Sequence, residues 1–313
     1  MRWAFELFSR RKKMARWQTP VCSKFQPFWR RALLVGALLG STSGCSQLFF
    51  HPAEQHVRTP EDIELAYQDI WLQTDDGVRL HGWFLPARYH ACGTVLHLHG
   101  NAQNISTHLN SVYWLPSRGF NVLMVDYRGY GRSAGKPSLD GLQTDIDAAM
   151  RYLVERQGEI ESAPIIIFGQ SLGGSAAVTY VARSPYRSHI GALVVEAAFT
   201  GPRAIAREKL ASFWLTWPFQ WLANLTISDG YESLSAVEAI APIPLLFVHG
   251  TEDSVIPVAH SERLYAAANE PKELWKVRDV GHIGAFRSDR LRDRLAGFLS
   301  KRVCPQVTQR YSR

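Results

Sequence analysis

Beyond Tyr67 the chain alternates short apolar runs with longer stretches in which apolar positions recur every three or four residues. The runs Thr94–Leu98, Asn121–Asp126, Ile165–Phe168, Ala192–Val195 and Leu245–Val248 are nearly continuous in apolar residues, many of them β-branched, as expected of strands covered on both faces. The clearest helical stripe joins Leu139, Leu142, Ile146, Ala149, Met150 and Leu153, with Ser138 placed to cap it. Extended segments ending near Gln73 and spanning Val78–Leu85 flank Asp76 and Gly77, a pair suited to a hairpin because glycine readily takes positive φ. Strands alternating with helices predict an α/β fold: a mainly parallel twisted sheet with right-handed crossovers, helices on both faces and an antiparallel N-terminal edge hairpin. Residues 201–236 interrupt the rhythm with Phe213, Trp214, Trp217, Phe219 and Trp221. They are expected to form a small helical lid whose rings either pack it onto the body or line a pocket beneath it.

Charge divides the chain unevenly. Of the net +7, nine Lys/Arg against the single Glu6 fall within residues 1–31, an excess of +8 that leaves the rest near −1. A nearly neutral body lacks the basic face that phosphate-backbone binding requires, so nucleic acid is excluded as a partner. The basic stretch leads into the apolar run Ala32–Gly40, then small residues, then Cys45, which is the order of an export leader and too short for a comfortable span. Thr42, Ser43, Gly44 and Cys45 resemble the bacterial lipoprotein signal, although Thr42 stands where leucine is usual and the long basic region makes Met14 a second candidate start. The expectation is a leader over 1–45 with lipidated Cys45, an uncleaved anchor being the alternative. An N-terminal extension follows over 46–66, then a single α/β domain over 67–303 and a tail over 304–313. The protein is expected to be exported, membrane-tethered and facing the periplasm. Cys92 and Cys304 form no disulfide framework by themselves and are expected to be unpaired thiols.

Gly169, Gln170, Ser171, Leu172 and Gly173 form G-x-S-x-G between the apolar strand Ile165–Phe168 and a small-residue helix beginning near Gly174, the setting of a strained turn that projects a nucleophilic hydroxyl. A serine hydroxyl needs a base. His260 and His282 follow the last candidate acid; His260 falls inside a helical pattern, where a surface position is expected, whereas His282 occupies the loop after a strand near Leu274–Val277. His282 is therefore the expected base and Asp253, just beyond Leu245–Val248, the orienting acid, with Glu252 and Glu196 as competitors. The oxyanion hole is expected from the backbone N–H of Leu172 and that of Asn101, with Ala102 the next candidate.

The stretches LHLHGNAQN, VDYRGYGRSAGKPSLDGLQTD, FGQSLGG, LFVHGTEDSVIP and VGHIGAF resemble the small-lid serine hydrolases of the α/β-hydrolase superfamily, serine aminopeptidase-like and acyl-protein-thioesterase-like members included. The likeness covers about 67–300 and implies the fold, the triad Ser171, Asp253 and His282, and no cofactor. The expected activity is cleavage of a carboxylic ester or thioester with a small or lipid-like acyl substrate, a serine peptidase or a catalytically silent binding protein being the alternatives. An aspartate nucleophile, as in dehalogenases, is disfavoured by Ser171. The glycines of Gly129–Gly135 imitate a dinucleotide fingerprint, but Pro137 prevents a helix from opening there. No metal-binding motif spacing occurs.

Overall fold

A computed structural model of the chain describes residues 50–156, 164–211, 221 and 230–304. The leader with Met14 and Cys45, the lid rings Phe213, Trp214, Trp217 and Phe219, and the tail beyond Cys304 lie outside the described residues. None of the described helices is long and apolar enough to cross a membrane.

Eight strands form one sheet: β1 (Gln68–Gln73), β2 (Arg79–Leu85), β3 (Gly93–Leu98), β4 (Phe120–Val125), β5 (Ile165–Gln170), β6 (Ile190–Glu196), β7 (Leu245–Gly250) and β8 (Lys272–Val277). Their spatial order is β1-β2-β4-β3-β5-β6-β7-β8. β2 pairs antiparallel with both β1 and β4, and every other pairing is parallel. The antiparallel edge predicted from Asp76 and Gly77 is thus a hairpin: Gly77 takes φ +80°, and Thr74 N–H donates to Val78 O at 3.0 Å.

Alternation along the buried strands splits the core into two layers. Ile165 and Ile167 join Leu193, Val195, Leu245 and Phe247 beneath helices α1 (Leu139–Glu155), α2 (Leu172–Arg183) and α4 (Ala259–Ala267). Ile166 and Phe168 join Val194, Leu246 and Val248 against α5 (Asp289–Val303) and the short turns around Leu109. A strand buried on both sides has no solvent face to spend polar residues on, so its sequence reads as an unbroken apolar run. The expected α1 stripe is buried at Leu142, Ile146, Ala149, Met150 and Leu153, and Ser138 Oγ accepts Gly141 N–H at 3.0 Å. α3 (Pro202–Ala211) begins where the lid was expected, and Trp221 is about 56% exposed.

Two expectations are corrected by distant contacts. Cys92 and Cys304 are not free thiols: they form a disulfide between the start of β3 and the end of α5, with Cα atoms 5.4 Å apart, inside the range a bridge requires. His260 is not at the surface of its helix but only about 2% exposed. Its Nδ1 accepts the Thr200 N–H at 3.2 Å, and its Nε2–H donates to Glu208 at 2.8 Å, so it ties α4 to α3.

The Asp76 turn is also anchored from below. Arg128 donates through its N–H and Nε to Asp145 of α1 and through both terminal nitrogens to Asp76. Gly129 and Gly131 take positive φ in this loop and α1 opens only at Leu139, so the glycines serve a turn and no helix opens directly after them.

Candidate active site

Ser171 leaves β5 and enters α2 in one step, with φ +51° and ψ −114°, a region that non-glycine residues occupy only when their surroundings impose it. Its N–H donates to Glu196 O at 2.9 Å, and its carbonyl accepts Ser175 N–H at 3.0 Å. A Cβ on Gly173 would run into the Leu98 and His99 carbonyls. Glycine there lets the helix sit close enough to β3 to hold the turn.

Asp253 lies in the loop after β7. Its Oδ1 accepts the N–H groups of Val255 and Ile256, each at 2.9 Å, and its Oδ2 accepts the His282 Nδ1–H at 2.7 Å. Burial pushes the carboxyl upward, yet the hydrogen bonds from His249, His282 and the Ile256 N–H together outweigh it and hold the group well below the usual carboxylate range. With its proton on Nδ1, His282 presents a lone pair on Nε2, the form a general base needs.

The loop that carries His282 reaches the elbow across Gly100. A Cβ there would lie 3.6 Å from Ser171 Cβ and 3.2 Å from Ile283 Cδ1. Among the described residues neither the Ser171 hydroxyl nor His282 Nε2 has a hydrogen-bond partner, and the imidazole is about 20% exposed. The Leu172 N–H opens the first turn of α2, where no helical carbonyl precedes it. The Asn101 loop is pinned by Tyr130, whose hydroxyl lies 2.9 Å from both Asn101 O and Oδ1.

The chain is similar to several known proteins. The family described as serine aminopeptidase, S33, matches residues 89–233. The uncharacterized protein YfhR of Escherichia coli K12 is 34% identical over 265 residues, 82% of this chain and 88% of that protein. The alpha/beta hydrolase domain-containing protein WAV2 of Arabidopsis thaliana is 35% identical over 219 residues, 67% of this chain and 69% of that protein. The chain belongs to the α/β-hydrolase superfamily. In three dimensions this hydrolase overlays the Pyrococcus furiosus esterase Pf2001 with a TM-score of 0.65 at 24% identity, covering 81% of this chain and 97% of the other.

The hydrolase contains polar residues behind the rim, of which the sequence had singled out only Glu196, as a competing acid. Gln170, directly before Ser171, accepts from His97 at 3.0 Å through Oε1; its amide donates to Ser111 at 3.0 Å and to Glu196 Oε2 at 2.6 Å. The other oxygen of Glu196 accepts Ala285 N–H at 3.0 Å, three residues after His282. This buried chain connects the residue before Ser171 to the His282 loop. Burial raises the Glu196 carboxyl and pushes His97 down to about 3, so the network sits with a neutral imidazole. His249 braces the acid: its Nε2 lies 3.2 Å from Asp253 Oδ2 and its Nδ1 2.6 Å from Ser261 Oγ. Only the stretches LHLHG and LFVHG hinted at these histidines, since their partners are far away in sequence.

The competing acids occupy different positions. Glu252 is exposed, its N–H tied to Val280 O, and Glu196 is held by Gln170 and Ala285. A cleft of about 280 Å³ opens beside His282, lined by His108, Ser111, Glu196, Ile283 and Arg287 among others. A larger cavity of about 510 Å³, near Phe84 and Tyr152, is remote from the elbow.

Proposed function

We propose that this α/β hydrolase cleaves a carboxylic ester or thioester through a Ser171 acyl-enzyme. His282 Nε2 takes the Ser171 proton as the hydroxyl attacks the acyl carbonyl, then returns it to the leaving alcohol or thiol. Water enters, His282 activates it, and the acid is released with Ser171 restored. Asp253 keeps the imidazole oriented and stabilises the imidazolium of each step. The N–H groups of Leu172 and Asn101, with Ala102 as the alternative second donor, stabilise the two tetrahedral oxyanions.

The observation that carries this reading is the serine held at φ +51° on a strand-to-helix turn, beside a loop whose histidine is bonded to a buried carboxylate. A fluorophosphonate probe tests it. Wild-type protein is expected to be labelled and the Ser171→Ala variant left blank; an unlabelled wild type, or label that survives the substitution, overturns it. Esters of graded chain length then define the acyl preference, with long chains expected if the lid aromatics line the pocket.

The family description favours one second reading, a serine peptidase. An aminopeptidase needs an uncommitted carboxylate near the elbow to hold the substrate's amino group. Glu196 is already bound to Gln170 and Ala285, which favours the ester. Our reading places the protein outside the cytoplasm, tethered through lipid on Cys45. The Cys92–Cys304 disulfide supports an oxidising compartment, and fatty-acid labelling lost in Cys45→Ser is the expected result.

A further inference from the structure

We propose that His56, His81 and Asp126 form a divalent-metal site, suited to zinc, that fastens the N-terminal extension to the hydrolase body. The three residues come from separate segments: the extension, the middle of β2 and the residue after β4. His56 and Asp126 are 70 positions apart. One donor atom from each, two imidazole nitrogens and a carboxylate oxygen, all lie within 4.8 Å of one another.

The donor chemistry favours an ion. His81 Nε2 is 2.6 Å from Asp69 Oδ1, so its proton sits on that side and Nδ1 is left with a lone pair. Nδ1 is fully buried and, among the described residues, has no hydrogen-bond partner. It faces Asp126 Oδ2 at 3.5 Å, too long for a good hydrogen bond and with an electron-rich atom on each side. A cation between them resolves the conflict. The Asp69–His81 bond is also the outer carboxylate that metal-ligating histidines commonly use to fix their tautomer and orientation.

The donors lie within 4.8 Å of one another, so an ion would draw the widest pair together. Tetrahedral zinc with bonds of about 2.1 Å places its donors about 3.4 Å apart. The Asp126–His81 separation of 3.5 Å meets this value, and the His56–Asp126 contact of 2.8 Å needs to open by about half an ångström. The second carboxylate oxygen, Oδ1, is held by the Ile105 N–H at 2.8 Å, which leaves Oδ2 for the ion. Gly131 roofs the cluster: a Cβ there would strike Asp126 and His56, and its N–H donates to Ala53 O of the same extension. His56, with its side chain about 10% exposed, is the side open to a water as fourth ligand.

The site lies outside the rim residues, so its loading and the esterase reading are separable. The test uses the full chain in detergent, stripped by chelator and titrated with zinc alone, with bound metal counted after dialysis and stability followed by thermal unfolding. Wild type is expected to hold one zinc per chain and to unfold at higher temperature when loaded. His56→Ala, which alters a ligand on the extension rather than in the core, is expected to lose both effects while fluorophosphonate labelling persists; His51→Ala, an exposed neighbour, is expected to keep them. Cobalt in place of zinc is expected to give the visible bands of a tetrahedral site in wild type only. Wild type that retains no zinc, or retains it equally after His56→Ala, overturns the proposal.

Discussion

Asp253 and Asp145 are both carboxylates with no side-chain exposure, yet their surroundings push them in opposite directions. Asp253 gathers donors from His249, His282 and two backbone N–H groups and is held well below the usual range. Asp145 is pushed up to about 6 by burial, because its main partner, Arg128, divides its guanidinium with Asp76. The first carboxylate stays charged wherever an imidazole can act as a base, which is what an orienting acid requires. The second ties a hairpin to a helix. Depth alone therefore does not set a carboxyl's behaviour; the number of donors aimed at it does.

The sharpest test of this contrast is Asp253→Asn. It is expected to lower kcat/KM of the folded protein on a model ester by on the order of 10⁴-fold, since an amide no longer fixes the base tautomer. If activity survives, Asp253 is not the orienting acid. Arg128→Ala is the converse: it leaves Asp145 buried without its counter-charge, and unfolding free energy from urea titration should fall by about 3–5 kcal/mol while the folded fraction keeps its turnover.

Glu196→Gln stands between the two. It weakens the link from Gln170 to the Ala285 N–H and lets the histidine loop drift, so kcat is expected to drop on the order of 10²-fold. KM should change little and fluorophosphonate labelling should slow in proportion; a purely structural role would lower stability and leave the labelling rate of folded protein untouched. The smallest effect concerns Asp76, lowered to about 2 chiefly by its hydrogen bond from Arg128. A depressed carboxyl stabilises above its unfolded value of 3.8 and loses that contribution as pH falls toward 2. With its side chain about half exposed, the gain is below about 1 kcal/mol, and Asp76→Asn should remove that acid-side slope in urea titrations run from pH 5 to 2.

Much of the rim was legible because its signals are local. The elbow at Ser171 is announced by two glycines and an apolar strand within nine residues, and the α1 stripe by its own periodicity. Leu172 and Asn101 are candidates because each follows a strand, which a repeating strand-loop-helix order makes countable. Glu252 and Glu196 stayed competitors to Asp253 because each also follows a strand; only the positions of Gln170, Ala285 and His282 separate them. His260 was misplaced because helical spacing reports which residues share a face and not whether α3 covers that face.

By itself, then, the chain determined a strand-and-helix order, a strained serine and the short list of residues able to serve it, since hydrophobic period and glycine placement act over a few positions. Tertiary structure alone decided which acid meets His282, that Cys92 reaches Cys304, that Gln170 and Glu196 brace the rim, and that His56 meets His81 and Asp126. Those outcomes depend on segments tens to hundreds of residues apart being driven together by burial of a common core, and no local pattern encodes the meeting of their side chains.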